Sequence, residues 1–97
     1  MISIDEIQDL VSKVAKRYDI KSVRLFGSYA DGCATSESDV DLLVEYNHQP
    51  TMLNFFGFQN YLQDKLNTNV DVVEFPFEEE YSFYKDFKIG KTVTLYG

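Results

Sequence analysis

At 97 residues the chain is long enough for one hydrophobic core and too short for two, so residues 1–97 are expected to form a single domain. Its 16 acidic residues against 9 basic ones leave a net charge of −7, which repels a long polyanion and speaks against general nucleic-acid binding. The lone Cys33 allows no internal disulfide and no apolar run approaches the length of a membrane span, so a cytoplasmic protein away from membranes is the expectation.

The chain opens acidic and helix-like, Met1-Ile2-Ser3-Ile4-Asp5-Glu6, rather than as a secretory signal. Ser3 and Glu6 have the spacing of a capping box, and Ile4, Ile7, Leu10, Val11, Val14 and Tyr18 recur at helical intervals, which predicts a helix over 4–18. Lys13, Lys16 and Arg17 fall on its polar face. A short β-branched strand follows over 21–27. Residues 28–38, rich in Ser, Thr and Gly, read as a turn or short helical loop. Alternation then predicts a strand over 39–46, with Val40, Leu42, Val44 and Tyr46 on one face and Asp39, Asp41, Leu43 and Glu45 on the other.

After the break at Asn47-His48-Gln49-Pro50, a second helix is expected over 51–66, burying Phe55, Phe58, Leu62 and Leu66, with Gly57 weakening it modestly. A third strand is predicted over 70–75, stopped by Pro76. Glu78, Glu79 and Glu80 suit the start of a last short helix, Lys85 and Lys88 its end, and Gly90 the position after it. Residues 92–96 then supply an edge strand. This order reads as α/β or α+β, a small mixed sheet flanked by helices.

Two features carry chemistry. Gly27-Ser28 follows an apolar run, and its free backbone N–H groups suit a phosphate. Asp39 and Asp41 share a strand face, where two carboxylates repel unless a cation lies between them; oxygen ligands of this kind suit Mg²⁺. Asp71 is the only other aspartate inside a strand-like run. If the helix over 51–66 makes a crossover, its strand lies beside that of Asp39 and Asp41, and the three carboxylates meet at one sheet end. Alone, Asp71 reads as a polar residue on an edge strand. Cys33 and His48 read as loop residues, Ser38 as a local hydrogen-bonding group, and Tyr29 equally as nucleotide stacker or packed aromatic.

The stretches Gly27-Ser28-Tyr29-Ala30, Gly32, Ser38-Asp39-Val40-Asp41-Leu42-Leu43-Val44 and Val70-Asp71-Val72-Val73 together resemble the minimal nucleotidyltransferases, a branch of the DNA polymerase β-like superfamily. The resemblance runs over nearly the whole chain. It implies a nucleotidyltransferase fold in which Gly27 and Ser28 grip the β- and γ-phosphates of ATP. Asp39 and Asp41 would hold two Mg²⁺ ions, and Asp71 would share one of them and help deprotonate an acceptor hydroxyl. It further implies an antitoxin that places AMP on an HEPN-domain toxin. One position departs from the pattern: relatives commonly carry Arg or Lys where this chain has Asp31, a substitution that removes a phosphate-pairing cation unless Arg24 or a partner's residue supplies one. Asp31 also favours the alternative reading, a weakly active or inactive protein of the same fold that neutralises its partner by direct binding. The retained aspartates favour catalysis. An antibiotic or tRNA nucleotidyltransferase would normally need further substrate-binding domains.

Overall fold

The computed structural model describes residues 2–74 and 91–97. Helix α1 spans Ile4–Val14, and the expected capping box opens it: Ser3 Oγ accepts from the Glu6 N–H, and Glu6 accepts from the Ser3 N–H. The helix stops four residues before Tyr18. Residues 15–19 continue as turns, and Asp19, in the left-handed region at φ 58°, swings the chain into β1 (Ile20–Phe26). Tyr18 keeps the contact that its helical spacing implied, its ring 5.8 Å from that of Phe58. One further turn preserves the direction of a side chain after the α-helix has ended.

A four-residue helix, α2 (Ser28–Asp31), occupies the expected turn region, and β2 (Val40–Tyr46) follows. Helix α3 (Met52–Leu66) is capped by Thr51, whose side chain accepts from the Asn54 N–H, and ends on Asn67 at φ 53°. Gly57 has a packing reason as well as a helical cost. A Cβ there would stand 3.0 Å from the Tyr18 ring, so its absence lets the turn after α1 lie against α3. Strands β3 (Val70–Glu74) and β4 (Val93–Tyr96) complete the described elements. The helix expected from Glu78–Glu80 to the residue before Gly90, with Lys85 and Lys88, lies outside the described residues.

Among the described residues the sheet order is β3-β2-β1-β4. Strands β1 and β2 are antiparallel, as are β1 and β4, whereas β2 and β3 are parallel. The parallel pair needs a crossover, and α3 provides it. One sheet face, with Val23, Leu25, Val40, Leu42, Val44, Val70 and Leu95, packs against Ile7, Val11 and Val14 of α1 and Phe58, Leu62 and Leu66 of α3. Phe55, expected inside, is half-buried at the rim, its ring 6.3 Å from that of Tyr46. This mixed α+β architecture is the one expected. No helix among the described residues is long and apolar enough to cross a membrane.

Candidate active site

Register decides what meets at the end of the sheet. Phe26, the last residue of β1, pairs with Asp41, and Asp41 in turn pairs with Asp71. Thus the exit of β1, which leads to Gly27 and Ser28, and the starts of β2 and β3 lie side by side. The Val40 N–H donates to the Asn69 carbonyl over 2.9 Å and ties the two strand starts together.

Gly27 is backed onto Asp41. Its φ of 74° and ψ of −152° belong to a region that essentially only glycine occupies. A Cβ there would overlap Asp41 Oδ2 and lie 3.1 Å from Asp41 Cγ. The glycine therefore serves both the turn and the approach of the carboxylate. Beyond it the Asp31 N–H bonds the Gly27 carbonyl over 3.0 Å, closing the single turn of α2. Tyr29 and Ala30 are buried in the core, so Tyr29 is a packed aromatic here. Asp31 is exposed, and so is Cys33, whose thiol lies 3.7 Å from the Asp31 carbonyl oxygen.

Asp41 is half-buried and Asp71 exposed. Burial holds the Asp41 carboxyl above the usual carboxylate range; the charge of Asp71, a side-chain hydrogen bond with Asp71 and the charge of Asp39 push it the same way. Asp39 stands one residue before β2, exposed at the rim rather than inside the strand as expected. A small turn precedes it, in which Ser38 Oγ accepts from the Thr35 N–H over 2.8 Å and the Ser38 N–H returns to the Thr35 carbonyl. Among the described residues no three His, Cys, Asp or Glu side chains already form a metal-holding group. The structure brings Asp41 and Asp71 together and leaves Asp39 close enough for its charge to act on Asp41. Like charges on an all-oxygen donor set suit a hard cation, which would relieve their repulsion. Arg24, exposed on the same sheet face, pairs with Leu43, the next residue along β2 on that face after Asp41.

Two polar groupings were not foreseen. His48 Nδ1 lies 2.9 Å from Asp19 Oδ2, and Asn47 donates to Asp19 Oδ1 and to no part of the site. That cluster joins β1 and β2 at the opposite end of the sheet. Nearer the aspartates, Gln59 Nε2 donates to the Val70 carbonyl over 2.8 Å and Gln63 Oε1 accepts from the Val70 N–H over 3.2 Å. The only sequence sign was a pair of glutamines four residues apart, each following a core residue, Phe58 or Leu62.

The profile of the nucleotidyltransferase domain family matches residues 7–94. The chain is 43% identical over 77 residues to a protein of Methanocaldococcus jannaschii named as a candidate protein adenylyltransferase, an alignment covering 75% of this chain and 79% of that one. In fold it is similar to a solved toxin–antitoxin with AMP-PNP, with a TM-score of 0.72 at 19% identity over 93% of this chain and 73% of the other. It is also similar to a chain in the complex of a tri-AMPylated Shewanella oneidensis HEPN toxin with an MNT antitoxin, with a TM-score of 0.66 at 16% identity over 96% and 71%.

Proposed function

This chain belongs to the nucleotidyltransferase domain family, and from that premise we propose that it transfers AMP from ATP to a hydroxyl of an HEPN-type partner protein, as an antitoxin. The observation that carries the reading is the backing of Gly27 onto Asp41 with Asp71 beside it, a carboxylate pair set against the turn best suited to a triphosphate. The adenylyltransferase named in Methanocaldococcus jannaschii and the AMPylated HEPN complex support the choice of reaction and partner.

The residues have separable tasks. Backbone N–H groups at Gly27 and Ser28 would cradle the β- and γ-phosphates. Asp39, Asp41 and Asp71 would hold Mg²⁺, which when bound neutralises charge on the reacting phosphates. Asp71 would take the proton of the acceptor hydroxyl. The freed oxygen forms a bond to the α-phosphorus as the bond to the β-phosphate oxygen breaks, and pyrophosphate leaves. Asp31 is exposed in α2, and the cation it replaces remains the feature that favours the alternative, a weakly active or inactive protein that acts by binding.

The test is to incubate the chain with Mg²⁺, ATP labelled in the α-phosphate and an HEPN-type protein, then measure label and mass on that protein. Label on a tyrosine, serine or threonine hydroxyl, lost in the Asp41→Asn chain, is the expected result. Tight complex formation without label would instead favour the binding alternative.

A further inference from the structure

Strand β3 is a weak place to hold a catalytic carboxylate. Among the described residues it pairs only with β2, and the pair places Asp71 directly opposite Asp41. Like charges directly opposite on neighbouring strands push those strands apart. An edge strand has nothing in the sheet to push back against on its open side.

The open side of Val70 is not left to itself. Asn69, the preceding residue, turns its carbonyl toward β2, where Val40 donates to it. The peptide groups of Val70 point away from β2 and meet Gln59 and Gln63 instead. Val70 is fully buried, so water cannot satisfy those groups in place of the glutamines. The two glutamines, four residues apart, lie on one face of α3 and take both the N–H and the C=O of one residue, as a neighbouring strand would. Helix α3 is itself fixed in the core by Phe58, Leu62 and Leu66. The residue before Asp71 is therefore held by β2 on one side and by the core helix on the other.

We infer that Gln59 and Gln63 are positioning residues, which clamp the Val70 peptide from the open side of β3 and so set Asp71 against Asp41 for reaction. The inference rests on the role given to Asp71 above. The chemistry of the clamp is directional. A carbonyl only accepts and an N–H only donates, so Gln59 must present its amide nitrogen and Gln63 its amide oxygen. Glutamate can replace Gln63 and keep the bond. At Gln59 it puts a carboxylate oxygen against a carbonyl oxygen.

That asymmetry is the test. In the full ¹⁵N-labelled chain, amide exchange at Val70 and Asp71 is compared with that at Val23 and Leu42. AMP transfer to the HEPN-type acceptor and KM for ATP are measured alongside. Gln59→Ala and Gln63→Ala should each speed exchange at Val70 and Asp71 about tenfold and slow transfer about tenfold, the loss of one net hydrogen bond, with Val23, Leu42 and KM for ATP little changed. Gln63→Glu should restore both quantities relative to Gln63→Ala, and Gln59→Glu should restore neither. Equal behaviour of the two glutamate variants would overturn the inference, because each adds one charge to the same helix face. So would wild-type transfer by both alanine variants. Asp71→Asn separates the two levels: if it loses transfer while the alanine variants keep it, the role of Asp71 stands and the clamp falls. If Asp71→Asn transfers normally, the role of Asp71 falls and takes the clamp's part in the reaction with it.

Discussion

A single hydrogen at Gly27 separates a usable turn from a blocked one. Gly27→Ala introduces a methyl group into Asp41 and forces a side chain into a backbone region that costs on the order of 1–3 kcal/mol. The expected outcome is a lower melting temperature together with loss of transfer, read by calorimetry and by label on the acceptor. Asp41→Asn should separate those two effects. The carboxyl of Asp41 is held above its usual range by burial first and by Asp71 and Asp39 after it, so its proton is held more tightly in the folded chain than in the unfolded one. Its contribution to stability is fully present below the ordinary carboxylate range and is lost as pH rises through the raised folded value. Without divalent ions, Asp41→Asn should match wild type in acid and become relatively more stable toward neutral pH, by denaturant midpoint. A variant less stable than wild type at neutral pH would make Asp41 a structural residue. Added Mg²⁺-ATP should stabilise the wild-type chain and not the variant.

At the scale of elements, local rules and register contribute differently. The capping box at Ser3 and Glu6 and the end of α3 at residue 66 were legible because each depends on residues close in sequence. Thr51 follows the same rule: Thr51→Ala should cost about 1 kcal/mol through its lost bond to the Asn54 N–H. In a domain of this size that lowers the melting temperature by roughly 4–8 °C, with transfer at a lower temperature unchanged. The end of α1 was misjudged because Tyr18 packs where a helical residue would, although the α-helix has already ended at Val14. The glutamines on Val70 were invisible for another reason. Side chain to backbone bonds spanning 7 and 11 residues depend on how α3 lies over β3, which periodicity does not encode.

At the scale of the molecule, among the described residues α1 and α3 pack on one sheet face, and Asp41 and Asp71 stand on the other. Both the core and the site hang on α3, since it supplies the crossover that makes β2 and β3 parallel. Phe58 is its fully buried centre, and Phe58→Ala should cost about 3–5 kcal/mol. Against a typical stability of about 5–15 kcal/mol, that loss should bring the chain near unfolding, seen as an early thermal transition with transfer lost alongside the fold. The aspartate pairing was foreseeable only through this topology: Asp71 alone reads as a polar edge residue, and the crossover gives it a partner. The most direct measurement is a titration of the ¹⁵N-labelled chain with Mg²⁺-ATP, followed amide by amide. Shifts beginning at Gly27, Ser28, Asp39 and Asp41, and absent with Asp41→Asn, are the predicted result. Those four amides unmoved at millimolar Mg²⁺-ATP, or shifts confined to the groove of Met52, Phe55 and Phe56, would contradict a nucleotide site at this end of the sheet.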